Sequence, residues 1–194
     1  MGILNVTPDS FSDGGEHASL EKALEHARRM VGEGARIIDV GGESTRPREP
    51  LSEEEELSRV LEVVRALAGE GLCVSIDTRH ASVARACLDA GASIVNDVSG
   101  FSDPAMVQAV SNGDCGLVVV HMRGEPATMQ DGPRYGDVVA EVRDWLASRA
   151  EDLQRAGVAR DRICVDPGPG SARRRSRPSS SCATSRSTCT WGIP

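Results

Sequence analysis

Aromatic residues make up only 3% of this 194-residue chain. No apolar run approaches the ~18 to 20 residues that a helix needs to span a bilayer, so we expect no membrane partner. The segment starting at Met1 lacks the basic and apolar regions of a signal peptide, which predicts a cytoplasmic protein. The net charge of −7 argues against nucleic acid as a partner. With 39% hydrophobic residues, a single globular domain is the expected class.

Several motifs that would identify a chemistry are also missing. The six cysteines show no CxxC or Cys/His spacing typical of zinc, and we interpret them as buried reduced thiols. The first predicted strand is not followed by the GxGxxG turn of a dinucleotide-binding fold. No Ser/His/Asp arrangement indicates a protein nucleophile.

Short apolar runs alternate with amphipathic stretches along the first 166 residues. Gly and capping signals, such as Ser52 with Glu55 three residues later, separate the segments. Six strands are predicted, each but the last followed by a helix, over 3–6, 35–40, 72–77, 92–97, 116–121 and 163–166. This order predicts an α/β fold with a parallel sheet, either an open doubly wound sheet or a (β/α) barrel. The length is short for a closed eight-stranded barrel, which takes ~250 residues.

Polar residues lie where the predicted strands end: Asn5, Asp39, Asp77, Asn96, Asp97, His121 and Asp166. In a barrel these ends share one rim, where such enzymes place their active sites, so the pattern favours the barrel. Carboxylates at that depth need hydrogen-bond donors, and a ligand with a guanidine-like ring edge would supply them. The alternative is that these side chains cap neighbouring loops or helices.

Two loops have the composition of binding segments. Residues 5–15 form a long connection rich in hydroxyls and carboxylates, although a plain surface loop has the same composition. Residues 41–47 contain paired glycines and Arg46, which can bind an anionic oxygen bidentately or form a surface ion pair.

Seven segments together resemble the dihydropteroate synthase family, in the family's order: 2–15 (GILNVTPDSFSDGG), 38–47 (IDVGGESTRP), 75–78 (SIDT), 96–100 (NDVSG), 121–124 (HMRG), 128–130 (TMQ) and 166–168 (DPG). The first two are the most specific. Related pterin-dependent methyltetrahydrofolate methyltransferases share the pterin-binding barrel but are not expected to show the Glu43–Pro47 sequence.

The resemblance implies a (β/α)8 TIM-type barrel that condenses 6-hydroxymethyl-7,8-dihydropterin diphosphate with p-aminobenzoate, a step of folate synthesis. It implies that Asp77, Asn96 and Asp166 bind the pterin and that Asn5 is a ligand of Mg2+ beside the diphosphate. It also implies that Thr45, Arg46 and Pro47 lie near p-aminobenzoate, that no protein nucleophile is used, and that full-length members are homodimers. The alternatives are a pterin-dependent methyltransferase and a non-catalytic pterin-binding fragment.

The resemblance ends after Gly170. Where the family continues Phe-Gly-Lys-Thr-Pro-Glu, this chain reads Ser-Ala-Arg-Arg-Arg-Ser. Deleting one T from TTC GGC AAG ACG CCG GAG C gives codons for this observed sequence, so we predict a frameshift; a genuine basic tail is the alternative. We therefore expect a partial barrel domain of about six strands over 1–170, an unstructured Ser/Arg-rich tail over 171–194, and an inactive chain.

Overall fold

The computed structural model describes residues 1–6, 15–42, 51–121 and 138–168. Strands and helices alternate through these ranges, as the sequence predicts. The strands are β1 (Gly2–Asn5), β2 (Ile37–Gly41), β3 (Cys73–Asp77), β4 (Ile94–Asp97), β5 (Gly116–Val120) and β6 (Ile163–Asp166). The helices are α1 (Gly15–Gly32), α2 (Glu53–Gly69), α3 (Ala81–Asp89), α4 (Pro104–Ser111) and α5 (Val138–Arg155).

The chain divides into two compact units, residues 1–96 and 97–194. In the first unit β1, β2, β3 and β4 follow one another in chain order, and all pairs are parallel. In the second unit β5 pairs with β6, also in parallel. Parallel neighbours joined by helices confirm the α/β class, with six of the eight strands of a complete barrel present in the described ranges.

Each strand of the first unit has one apolar face that packs toward the helices. Its residues are fully or almost fully buried: Leu4, Ile38, Val40, Val74, Ile76 and Val95. Helix α2 packs against β2, β3, α1 and α3, and its stripe of Val60, Val64 and Leu67 is completely buried. Burial of this stripe stabilises α2, since an amphipathic helix gains most of its stability from tertiary packing.

The start of α2 follows its sequence signal. Ser52 is the N-cap, its hydroxyl accepts a hydrogen bond from the Glu55 backbone, and the Glu55 carboxylate reaches back to the Ser52 backbone. This confirms the predicted capping box. Glu56, at the end of the same acidic run, is buried instead of solvated, and its Oε2 lies at hydrogen-bonding distance from Nδ1 of the His80 ring, at 2.6 Å.

The described residues do not cover every sequence prediction. The tail at 171–194 and most of residues 5–15 and 41–47 lie outside them, so the proposed domain boundary at residue 170 stays a prediction. No helix within the described ranges is long and apolar enough to cross a membrane.

Candidate functional site

Four residues form one layer at the carboxyl ends of the first unit's strands. The strand register aligns Asn5 with Gly41, Gly41 with Asp77, and Asp77 with Asn96. Paired residues of adjacent strands face the same side of a sheet, which here is the side opposite the helices. The structure therefore brings Asn5, Asp77 and Asn96 together, as the strand-end pattern predicts.

Gly41 leaves a gap in this layer between Asn5 and Asp77. A Cβ atom at Gly41 would lie 3.6 Å from Asn5 Oδ1 and 3.6 Å from Asp77 Oδ2. The missing side chain thus leaves a notch with an amide oxygen on one side and a carboxylate oxygen on the other. A backbone without Cβ also lets a ligand approach closely.

Asp39 and Ser75 lie beneath this layer, two residues earlier along β2 and β3 on the same face of the sheet. They are 5% and 0% exposed. The Asn96 side-chain amide donates a hydrogen bond to Asp39 Oδ2 at 3.0 Å. Three buried atoms, Asp39 Oδ1, Ser75 Oγ and Asn96 Oδ1, have no hydrogen-bond partner within the described ranges. Buried polar atoms are rarely left unpaired, so these three indicate a place for a ligand's polar groups.

Burial raises the pKa of the Asp39 carboxyl group, because desolvation disfavours its charged form. The Ser75 hydroxyl and the Asn96 amide oppose this shift. The carboxyl group of Asp39 is therefore held in place by few partners for its depth.

Two loops are anchored close to the layer. After β3, the Thr78 backbone donates to the Asn96 carbonyl at 3.0 Å, and the His80 backbone donates to Thr78 Oγ1 at 3.1 Å. After β2, the Gly42 carbonyl accepts a hydrogen bond from Arg59 on α2 at 3.2 Å. These contacts fix where both loops leave the sheet.

Asp166 lies at the corresponding strand end of the second unit. Its backbone carbonyl accepts from the His121 backbone at 2.8 Å, and its side-chain Oδ1 accepts from the Gly168 backbone at 2.8 Å. One carboxylate oxygen therefore fixes the local turn, as the capping interpretation expects. His121 is buried and meets the Trp145 ring edge-on, with 5.1 Å between ring centroids.

Asp97 has a structural role. Its side chain is buried and accepts hydrogen bonds from the Ser99 backbone, the Ser99 hydroxyl and the Phe101 backbone at 2.7, 3.0 and 2.8 Å. Arg149 holds the same turn through the carbonyls of Gly100 and Phe101. A side chain at Gly100 would collide with the Trp145 ring, so this turn requires glycine. The capping alternative therefore describes Asp97 correctly.

Sequence reasoning noticed Asp39 among the strand-end residues but did not place it at the site, and it missed Ser75. The usable signal was the spacing, since each lies two residues before a residue of the layer and so on the same strand face. Thr45, Arg46 and Pro47, expected near p-aminobenzoate, lie outside the described residues.

The donor set of the layer is compatible with a hard cation. Asn5 is exposed and offers an amide oxygen at the notch, and Mg2+ prefers oxygen ligands. The described residues contain no group of three or more His, Cys, Asp or Glu side chains that could hold a metal ion. A single protein oxygen still fits Mg2+, which keeps several waters and binds substrate phosphates.

Comparison with known proteins gives consistent results. Residues 1–182 match the model of the family described as pterin binding enzyme. The chain is 46% identical over 172 residues to the dihydropteroate synthase of Escherichia coli K12, covering 88% of this chain and 61% of that protein. It is 48% identical over 176 residues to the Mycobacterium leprae enzyme, covering 89% and 62%. The chain thus spans about three fifths of these relatives.

Solved structures agree. A Burkholderia cenocepacia dihydropteroate synthase complexed with 7,8-dihydropteroate superimposes with a TM-score of 0.79 at 50% identity, over 90% of this chain and 59% of that one. A Xanthomonas albilineans dihydropteroate synthase with 4-aminobenzoic acid gives 0.81 at 43% identity, over 90% and 62%. These neighbours confirm the barrel-type fold class. The chain therefore belongs to the pterin binding enzyme family.

Proposed function

We propose that this chain is the pterin-binding part of a dihydropteroate synthase. A dihydropteroate synthase condenses 6-hydroxymethyl-7,8-dihydropterin diphosphate with p-aminobenzoate and forms 7,8-dihydropteroate and diphosphate. The observation that carries the proposal is the aligned layer of Asn5, Asp77 and Asn96 above the unpaired buried atoms of Asp39 and Ser75. The names of the similar proteins support it and favour a synthase over a methyltransferase.

The chemistry of a pterin matches these side chains. Its guanidine-like edge carries several N–H donors, and the carboxylates of Asp77 and Asp166 accept such bonds. The Asn96 side chain adds the unpaired acceptor Oδ1. In this proposal Asp77 and Asn96 of the first unit bind and orient the ring, and Asp166 stays a pterin ligand that the family resemblance implies.

Asn5 is proposed to act at the diphosphate end of the pterin substrate. When bound, Mg2+ would neutralise the charge that develops on the departing diphosphate. The Asn5 amide oxygen would hold the cation at the notch. Thr45, Arg46 and Pro47 are proposed to contact p-aminobenzoate.

The reaction needs no protein nucleophile. The amine nitrogen of p-aminobenzoate forms a bond to the pterin methylene carbon, the bond from that carbon to the diphosphate oxygen breaks, and the amine loses one proton. The protein's task is therefore to position two substrates and stabilise charge. Cytoplasmic location stays a prediction of the sequence, and a homodimer stays a prediction of the family resemblance.

Calorimetric titration of the chain with 6-hydroxymethyl-7,8-dihydropterin tests the binding half of the proposal. Asp77→Ala should weaken binding by ~1.5 to 3 kcal/mol, the range for losing hydrogen bonds to a charged group. Asp89→Ala is the matched control, since Asp89 is an exposed carboxylate of the same unit at the far end of α3. Equal affinities of the two variants would remove Asp77 from the site.

A turnover assay with both substrates tests the catalytic half. A synthase forms 7,8-dihydropteroate and diphosphate in equal amounts, whereas methyl transfer from methyltetrahydrofolate without diphosphate release would identify a methyltransferase. Pterin binding with neither product would identify a non-catalytic pterin-binding chain, which is the outcome expected from the predicted frameshift.

A further inference from the structure

The sheet face of the first unit that carries the site is polar to an unusual depth. The interior of a (β/α) barrel is normally filled by bulky branched residues. Here the layer beneath Gly41 and Asp77 holds Asp39 and Ser75, which are paired in register and both buried. A buried carboxylate with few partners lowers stability, so Asp39 needs an explanation beyond packing.

The explanation lies in the contact between Asp39 and Asn96. The Asn96 Nδ2 group donates to Asp39 Oδ2 at 3.0 Å, which uses one donor of the amide and fixes its orientation. If the side-chain amide were flipped, Asn96 Oδ1 would face the carboxylate oxygen of Asp39, and two acceptors repel each other. The amide can therefore present only Oδ1 away from Asp39, and this atom is buried and unpaired within the described ranges.

We propose that Asp39 is a positioning residue whose carboxylate locks the Asn96 amide, so that Asn96 Oδ1 accepts an N–H donor on the guanidine-like edge of the bound heterocycle. The proposal rests on the proposed pterin site and adds a basis for its specificity. Asp39 selects ring edges with a donor facing Asn96 and rejects those with an acceptor there.

Two other roles for Asp39 give different expectations. If Asp39 contacted the ligand directly through Oδ1, its substitution would change binding even without the Asn96 side chain. If Asp39 only stabilised the fold, its substitution would change the free energy of unfolding and weaken the binding of all ligands alike. A positioning role changes the preference between ligands, and does so only while Asn96 is present.

The experiment compares two ring systems, pterin and lumazine. In lumazine a carbonyl oxygen replaces the exocyclic amino group of pterin. Dissociation constants for both are measured with the unsubstituted chain, Asp39→Asn, Asn96→Ala and the double variant. Asp39→Asn keeps the size of the side chain, but its amide can donate to Asn96 Oδ1 and so allow the flipped orientation. Asp89→Asn, an exposed position in the same unit, is the matched control.

The unsubstituted chain and Asp89→Asn should prefer pterin. In Asp39→Asn the ratio of the lumazine dissociation constant to the pterin dissociation constant should fall about tenfold, which corresponds to one hydrogen bond made or lost. The double variant should match Asn96→Ala, because Asp39 has nothing left to position. An unchanged ratio in Asp39→Asn, or a further loss in the double variant, would overturn the positioning role. Pterin binding unaffected by Asn96→Ala would instead refute the proposed pterin site.

A measurement on the unsubstituted chain keeps the proposal testable if Asp39→Asn does not fold. Nuclear magnetic resonance can follow hydrogen exchange of the Asn96 side-chain amide against that of Asn112, which is exposed at the end of α4. The Asn96 amide should exchange much more slowly, because it is bonded to Asp39. Equal exchange of the two amides would show that the lock is not formed and would overturn the proposal.

Discussion

Gly41 and Gly42 are adjacent glycines for which the structure predicts opposite consequences of the same substitution. In Gly41→Ala the new methyl group meets Asn5 and Asp77 at 3.6 Å, an ordinary van der Waals distance, and neither residue has to move. In Gly42→Ala the methyl group lies 2.9 Å from Val60 Cγ1, 3.0 Å from Glu56 Cγ and 3.2 Å from the Glu56 carbonyl oxygen. Val60 and Glu56 are buried on α2, so neither can yield without moving the helix.

The magnitudes follow from packing. Overfilling a packed core costs about 1–3 kcal/mol, and Gly42→Ala should lower the free energy of unfolding by that amount. Gly41→Ala should leave the free energy of unfolding unchanged or raise it by up to ~1 kcal/mol, because alanine restricts the unfolded chain. The methyl group fills the notch, however, and should weaken binding of 6-hydroxymethyl-7,8-dihydropterin diphosphate by ~1–3 kcal/mol, roughly five-fold to over a hundred-fold in Kd.

Urea denaturation and calorimetric titration separate the two effects. Gly69→Ala is the control for the substitution itself, since a Cβ there meets nothing within 4 Å. A Gly41→Ala variant that binds the ligand normally would show that the notch is not part of the site. A Gly42→Ala variant as stable as Gly69→Ala would refute the packing argument.

Three further predictions concern single groups. Burial raises the pKa of Asp39 above the ordinary 3.8. Between 3.8 and this raised pKa the folded chain binds more protons than the unfolded chain, so the free energy of unfolding should fall as pH rises through that window. Urea denaturation at a series of pH values should show this fall in the unsubstituted chain and not in Asp39→Asn. Burial, with the nearby Glu56 charge, raises the pKa of the Cys87 thiol to about 12, so iodoacetamide at pH 8 should leave Cys87 unmodified in the folded chain and alkylate it in urea, as mass spectrometry of the peptide would show; rapid labelling of the folded chain would contradict its burial. Arg149→Ala should lower the free energy of unfolding by about 1–3 kcal/mol, because the Gly100 and Phe101 carbonyls lose their donor, and Arg149→Lys should lose less; no change in either variant would mean that the turn does not depend on Arg149.

The fold was largely predictable because short apolar runs alternate with amphipathic stretches, and glycine or capping residues separate them. The run from Ile163 to Asp166 is predicted at both ends, and Ser52 with Glu55 marks the start of α2 correctly. The first strand is shifted by one residue, which is the usual uncertainty of strand ends.

The site was predictable only in part. Asn5, Asp77 and Asn96 end apolar strands, and a parallel register necessarily brings such ends together. Asp97 ends the same strand as Asn96, and the sequence does not distinguish a residue that caps a turn from one that faces a ligand. Asp39 was not assigned because its role depends on its distance to Asn96, 57 positions away in the chain.

The central claim is that the ends of β3 and β4 bind a pterin ring, and a crystal structure of the chain with 6-hydroxymethylpterin tests it most directly. The account predicts the ring beside Gly41, with its N–H groups within hydrogen-bonding distance of the Asp77 carboxylate and of Asn96 Oδ1, and with the Asn96 amide still bonded to Asp39. A ring bound elsewhere, or one at this place without contacts to Asp77 and Asn96, would contradict the account.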